Sequence, residues 1–326
     1  VSTKGASSCC DEQTGSQFAD MIDAFTTPQK KFTVFNGRHV DGYSPLVITR
    51  WFEFLEFYVA RRIPRLTDLV RTIAGPEFGK EFGVEGLGFE PDRFPDFADD
   101  DYDGALAAYE DEPMVRVLFE NGAGGPAPGA TVARFETTFD AWPPRDAYAR
   151  TFWLGPDRTL VDDVPSDDGV DSYLHDPDAG ATTFFGPKGY ELLVPLWDIR
   201  WTEYPEGKSL SYVSAPLDDD MVVAGDAWVS LFFASEETDV SVQVTLTEVR
   251  PVDTEYLVQS GWLRAGHRKV DEAASDEFRI VRRFLKEDFE PLVPGDEVEL
   301  KVPLYPVAHA FRKGSRVRLQ IGAPGR

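Results

Sequence analysis

Two side chains in the first forty residues have the types that could share one reaction. Asp11 lies in Cys-Cys-Asp-Glu-Gln-Thr-Gly, ahead of a helical pattern, and His39 lies in Phe-Asn-Gly-Arg-His-Val-Asp, just past a strand pattern. A carboxylate beside an imidazole fixes the tautomer whose other nitrogen can take a proton from a nucleophile, and it stabilises the imidazolium that forms. Spacing alone leaves a plain alternative open, a helix-capping Asp and an unrelated loop His. The nucleophile is the critical test. No Gly-x-Ser-x-Gly occurs in the sequence, Ser7 and Ser8 have no strand pattern leading into them, and Cys9 and Cys10 stand too close to Asp11 to occupy a turn of their own. A second constellation, Asp99-x-Asp101-x-Asp103-Gly104 with Glu110, fits the spacing of a calcium loop. Pro91 and Pro95 argue against the entering helix such a loop needs, so Asp101 or Asp103 is read as a helix cap. His175, His267 and His309 lack ligand spacing and are read as hydrogen-bonded structural histidines. No cofactor and no metal site are expected.

The elements that must position Asp11 and His39 alternate between helix and strand. Phe18, Met21, Ile22 and Phe25 recur at helical spacing before Pro28, and Lys31–Phe35 is a short strand closed by Asn36-Gly37. Ser44-Pro45 reads as N-cap and first turn of an oily helix running from Leu46 to Arg62. That order suits the last units of an α/β sheet, and in an α/β-hydrolase the loops after late strands present first the acid and then the histidine. Residues 64–111, dense in Pro, Gly and Asp, read as a connecting segment that wraps the surface, with one short helix near Gly104–Glu110.

From 112 onward the pattern is β throughout. Expected strands are Met114–Glu120, Val132–Thr138, Ala149–Leu154, Glu191–Val194, Ala227–Ala234, Val240–Val249, Glu255–Arg264, Phe278–Leu285, Glu297–Val302 and Arg316–Ile321. Alternation in Val240, Val242, Val244, Leu246 and in Val317, Leu319, Ile321 predicts one buried and one wet face. Trp142, Trp153, Trp197, Trp201, Trp228 and Trp262 read as core of this region. The expected organisation is therefore residues 1–63 as the end of an α/β catalytic domain, 64–111 as the connection, and 112–326 as a jelly-roll β-sandwich. Both ends read as cut, the sheet opening with too few strands and the sandwich stopping on one.

Charge narrows the partners. Lys plus Arg is 33 against 57 Asp plus Glu, a net −24, which repels phosphate backbones and anionic lipid. Nucleic-acid and membrane binding are not expected, no apolar run spans a bilayer, and the first ten residues hold no secretory h-region. The chain reads as soluble, and its location is left open with the cytoplasm slightly favoured, because any export signal would lie ahead of the expected cut; a salt-adapted source would also explain the acidity.

The motifs together resemble the CocE/NonD serine hydrolases, the family of cocaine esterase, α-amino-acid ester hydrolases and X-Pro dipeptidyl-peptidases. The first part, Asp11–Gly15, Phe32–His39 and the oily helix, resembles the end of the catalytic domain. Tyr212–Leu217, Val223–Gly225, Ser260–Arg264 with His267-Arg268, Leu292–Gly295 and His309–Gly314 resemble the family's C-terminal jelly roll. The resemblance implies Asp11 as triad acid and His39 as general base of an ester- or amide-hydrolysing enzyme, with its serine and oxyanion donors outside this sequence, and a small-molecule ester or peptide as substrate. The rival is a non-enzymatic β-sandwich that binds carbohydrate or a partner protein.

Overall fold

The computed structural model describes residues 2–11, 15–37, 39–119, 131–179, 201–252 and 254–324. The chain divides into two compact units, the first running to Arg145 and the second starting at Asp146.

The first unit is built on a four-stranded sheet in the order β1 (Thr3–Ser8), β2 (Lys30–Phe35), β3 (Val115–Phe119), β4 (Phe135–Phe139). The first three strands are parallel and β4 runs antiparallel to β3. Every residue of β3 is buried, and so is β2 from Lys31 to Phe35, as parallel strands covered on both faces should be. Helix α1 (Pro45–Leu55) starts at Ser44 and Pro45, where the sequence places its cap. Val47 of α1 packs with Phe35 and Leu118, fixing α1 on β2 and β3. A π-helical turn, Glu56–Ala60, ends at Arg61 in the left-handed conformation.

The structure corrects three expectations here. Strands β3 and β4, expected among the strands of the β-sandwich, pair with β2 and with each other in this sheet. The 64–111 segment contains a 15-residue helix, α2 (Asp68–Phe82), as well as α3 (Tyr102–Glu110). Gly75, Pro76 and Gly79 gave α2 the look of a loop, yet Pro76 sits inside the helix. Nor does the segment merely wrap the surface: Phe94, Ala105 and Tyr109 form a core with Phe57 and Ile63. Buried Glu53 of α1 accepts from Arg93 at 2.9 Å, and Arg116 of β3 pairs with Glu90 at 2.8 Å, binding the segment to sheet and helix by charge. Finally, 18–25 is not an α-helix. A 3-10 turn, Gln17–Met21, buries Ala19 and Ile22 at the three-residue spacing of that helix and leaves Phe18 and Met21 exposed.

The second unit holds a six-stranded sheet, in the order β10 (Glu255–Arg264), β9 (Ser241–Val249), β12 (Arg316–Gly322), β7 (Ser209–Ser214), β6 (Thr159–Val161), β5 (Trp153–Leu154). It also holds a two-stranded sheet of β8 (Met221–Phe233) and β11 (Val298–Phe311). Both sheets feed one hydrophobic core, with Val242, Val244, Val317, Leu319 and Ile321 from the first and Leu300, Val302, Val307 and Phe311 from the second. Gly261 is required where β10 meets β11, because a Cβ there would lie 1.7 Å from the Pro303 carbonyl oxygen. β12 is paired on both edges, with β9 and β7.

The apolar alternation is present, but the other face of β9 and β12 is not wet. Gln243, Thr245, Thr247 and Gln320 are buried there and hydrogen-bonded, Gln243 to Thr245 at 2.9 Å and Trp201 Nε1 to Gln320 at 2.9 Å. The strand expected at Phe278–Leu285 does not form. The Asp276 carboxylate accepts from the N–H groups of Phe278 and Arg279 at 2.8 Å, and Phe284 has φ 53°, both incompatible with extended pairing. Of the tryptophans, Trp142 and Trp201 are buried, Trp153 and Trp262 are more than two-fifths exposed, and Trp142 belongs to the first unit. The expected strand Glu191–Val194 and Trp197 lie outside the described residues.

Candidate active site

Two parallel strands lie side by side with their carboxyl ends level: the last register pair of β1 and β2 is Ser8 with Phe35. The chain leaves both strands at the same edge, so each following loop meets the other. Backbone hydrogen bonds tie them, Cys9 N–H to Phe35 O at 2.8 Å and Cys10 N–H to Gly37 O at 3.2 Å, and the Ser8 hydroxyl donates to Gly37 O. Asp11 follows in the first loop, and its carbonyl accepts from the Gly15 N–H at 3.1 Å. His39 opens a 3-10 turn, His39–Tyr43, in the second.

The two loops bring the Asp11 carboxylate and the His39 ring together. Oδ2 and Nδ1 are 2.9 Å apart, with the Asp11 side chain 9% exposed and that of His39 38% exposed. A shielded acid gripping Nδ1 fixes a tautomer, and Nε2 is then the nitrogen suited to exchanging a proton with a reacting group. Gly37 is part of the frame. A Cβ there would lie 2.8 Å from the Phe35 ring and 2.8 Å from the Asp41 carboxylate, which is buried inside the turn.

Sequence reasoning missed β1. Thr3-Lys-Gly-Ala-Ser-Ser8 carries no alternating apolar pattern, and the strand is held by its parallel neighbour rather than by propensity. A strand therefore does lead into Ser7 and Ser8, contrary to expectation. Both hydroxyls are buried and donate to carbonyls, Ser7 to Ser16 O at 3.4 Å and Ser8 to Gly37 O, and a turn rather than a helix follows them. Cys9 and Cys10 form no disulfide.

The other candidates are spent on structure. Asp101 caps α3, accepting from Gly104 N–H at 3.1 Å, and Glu110 accepts from the Tyr58 hydroxyl at 2.8 Å. His175 contacts the Ser241 carbonyl at 3.2 Å, and His309 lies 3.1 Å from buried Glu248. That last pair joins residues 61 apart on different strands, a contact no spacing rule discloses. Burial opposes ionisation of Glu248, yet His309, Arg250 and the Arg312 N–H outweigh it and hold the carboxyl down to about 2. Among the described residues no helix is long and apolar enough to cross a membrane.

The first unit thus places an acid and a histidine at the carboxyl ends of two parallel strands, and the second unit is built on two sheets. Residues 107–324 match the profile of the X-Pro dipeptidyl-peptidase C-terminal non-catalytic domain, and the chain belongs to that family. A Mycobacterium bovis protein assigned as a serine esterase is 31% identical over 247 residues, covering 70% of this chain and 36% of the relative. A Mycobacterium tuberculosis protein so assigned gives the same figures. Among solved structures, a CocE/NonD family hydrolase from Staphylococcus aureus superposes with a TM-score of 0.66 at 15% identity, over 100% of this chain and 47% of the other. An α-amino acid ester hydrolase gives 0.61 at 17%, over 99% and 48%. An aminopeptidase from a Thaumarchaeota archaeon gives 0.58 at 17%, over 100% and 48%. The chain thus spans about a third of the curated relatives and about half of the solved structures.

Proposed function

We propose that this chain is the C-terminal portion of a serine hydrolase acting on small esters or amides, and that Asp11 and His39 are the acid and base of its triad. The observation that carries the reading is the 2.9 Å contact between Asp11 Oδ2 and His39 Nδ1, made by loops leaving neighbouring parallel strands. In this reading residues 1–63 are the end of an α/β-hydrolase fold and the second unit is a jelly roll, as in the hydrolases whose fold the chain shares. The serine comes from the part of the relatives' length that this chain does not span. It attacks the substrate carbonyl, His39 takes its proton and passes it to the leaving group, Asp11 orients His39, and water releases the acyl-enzyme. Without that serine the 326 residues hold a base with nothing to activate, and they hydrolyse no ester above background.

The test is steady-state hydrolysis by the longer protein of a chromogenic acyl ester and of a chromogenic X-Pro dipeptide, with His39→Ala as control. Turnover of one or both that collapses in the variant supports the reading and selects the substrate class. Turnover that survives His39→Ala contradicts it.

A further inference from the structure

The Asp11–His39 contact requires two loops to keep their places relative to each other, and the ties between those loops are unequal. Cys9 N–H donates to Phe35 O at 2.8 Å at the base of the loops, where β1 and β2 are already paired. Further out, Cys10 N–H reaches Gly37 O at 3.2 Å, the long end of the N–H···O range. Cys10 immediately precedes Asp11, and Gly37 stands two residues before His39. A shift of either loop at the Gly37 carbonyl would therefore pass directly into the distance between acid and imidazole.

A carbonyl oxygen has two lone pairs, and Gly37 O takes a second donor, the Ser8 hydroxyl. Ser8 is the last residue of β1, so its backbone is fixed by register with Phe35. It is only 8% exposed. A buried hydroxyl needs a protein acceptor, and Ser8 finds one across the loops rather than on its own strand. Backbone ties are open to almost any sequence, whereas this one needs a short side chain carrying an O–H. Alanine at this place would leave Gly37 O with the long bond from Cys10.

We propose that Ser8 is a positioning residue of the Asp11–His39 pair. Its hydroxyl clamps the His39 loop to the end of β1 and so keeps Asp11 Oδ2 within 2.9 Å of His39 Nδ1. The consequence for turnover rests on the hydrolase reading; the consequence for the imidazole does not. The test places Ser8→Ala both in the 326-residue chain and in the longer protein. In the chain, with His39 neutral, the ring nitrogen NMR signals of wild type report Nδ1 protonated and Nε2 bare, the tautomer that Asp11 selects. In Ser8→Ala the two signals converge as the tautomers mix. In the longer protein kcat falls by about 10²-fold with KM unchanged, because a loosened base alters the reacting geometry and not substrate binding. A hydroxyl with a merely structural part lowers the urea midpoint of Ser8→Ala and leaves the ring signals where they were, and that result overturns the proposal. Ring signals that move while kcat holds, in an enzyme that needs His39, overturn it as well. Activity that survives His39→Ala sinks the hydrolase reading instead, and the ring signals still decide on Ser8. If Ser8→Ala fails to fold, Ser8→Cys, similar in shape but a weak donor, is judged by the same signals.

Discussion

Among the described residues there are two acid–histidine pairs, one in each unit, and they solve opposite problems. Asp11 and His39 meet across two loops, the acid shielded and the imidazole more than a third exposed. Glu248 and His309 meet between strands, 0% and 7% exposed, with the acid also held by Arg250 and the Arg312 N–H. The acid grips Nδ1 in the first pair and Nε2 in the second. The same two functional groups therefore suit proton exchange in the proposed reading where one partner reaches solvent, and form a clamp where neither does. Proximity of an acid to a histidine is not evidence of catalysis until exposure and the nitrogen engaged are known.

This contrast can be broken by substitution. The largest effect is expected from His39→Ala, which in the longer enzyme should lower kcat by about 10⁴-fold. The same change should alter unfolding free energy by less than about 1 kcal/mol, because an ion pair with one partner more than a third exposed contributes little to stability. Glu248→Ala should do the reverse, costing about 3 kcal/mol in urea titration by taking a partner from buried His309 and from partly buried Arg250. If the two variants lose activity and stability in equal measure, the distinction between the pairs is wrong.

The pH dependence sharpens it. The Glu248 carboxyl is held at about 2 in the folded protein against 4.5 when unfolded. Below 4.5 the unfolded chain binds the proton first, so folding stability falls with pH between about 4.5 and 2 and is fully present above. Thermal midpoints should decline over that window in wild type, and the decline should be shallower in Glu248→Gln. The smallest expected effect is at Gly37. A Cβ in Gly37→Ala must displace Asp41 or the Phe35 ring, shifting the His39 loop and lowering kcat by about 10²-fold. Circular dichroism should show the fold retained.

Part of this was legible in the sequence and part was not, for physical reasons. Strands β9 and β12 follow their alternating apolar side chains because those residues enter the hydrophobic core. Ser44-Pro45 marks the start of α1 because proline's fixed φ suits the first helical turn, although the Ser44 side chain makes no capping hydrogen bond. β1 is invisible in Thr3–Ser8, since its stability comes from pairing with β2 and not from its own composition. α2 is hidden by Pro76 and by glycines that its setting tolerates. The placement of β3 and β4 with β1 and β2 is a matter of long-range register, which no local pattern encodes. Asp11 and His39 were visible as residue types, but only the adjacent parallel strands bring them into contact.

The most direct measurement is covalent labelling of the longer protein with a fluorophosphonate, which reacts with a serine primed by a neighbouring base. The account predicts rapid labelling of wild type, slow labelling of Asp11→Asn, and none with His39→Ala while the variant remains folded. Labelling of His39→Ala at the wild-type rate would contradict it.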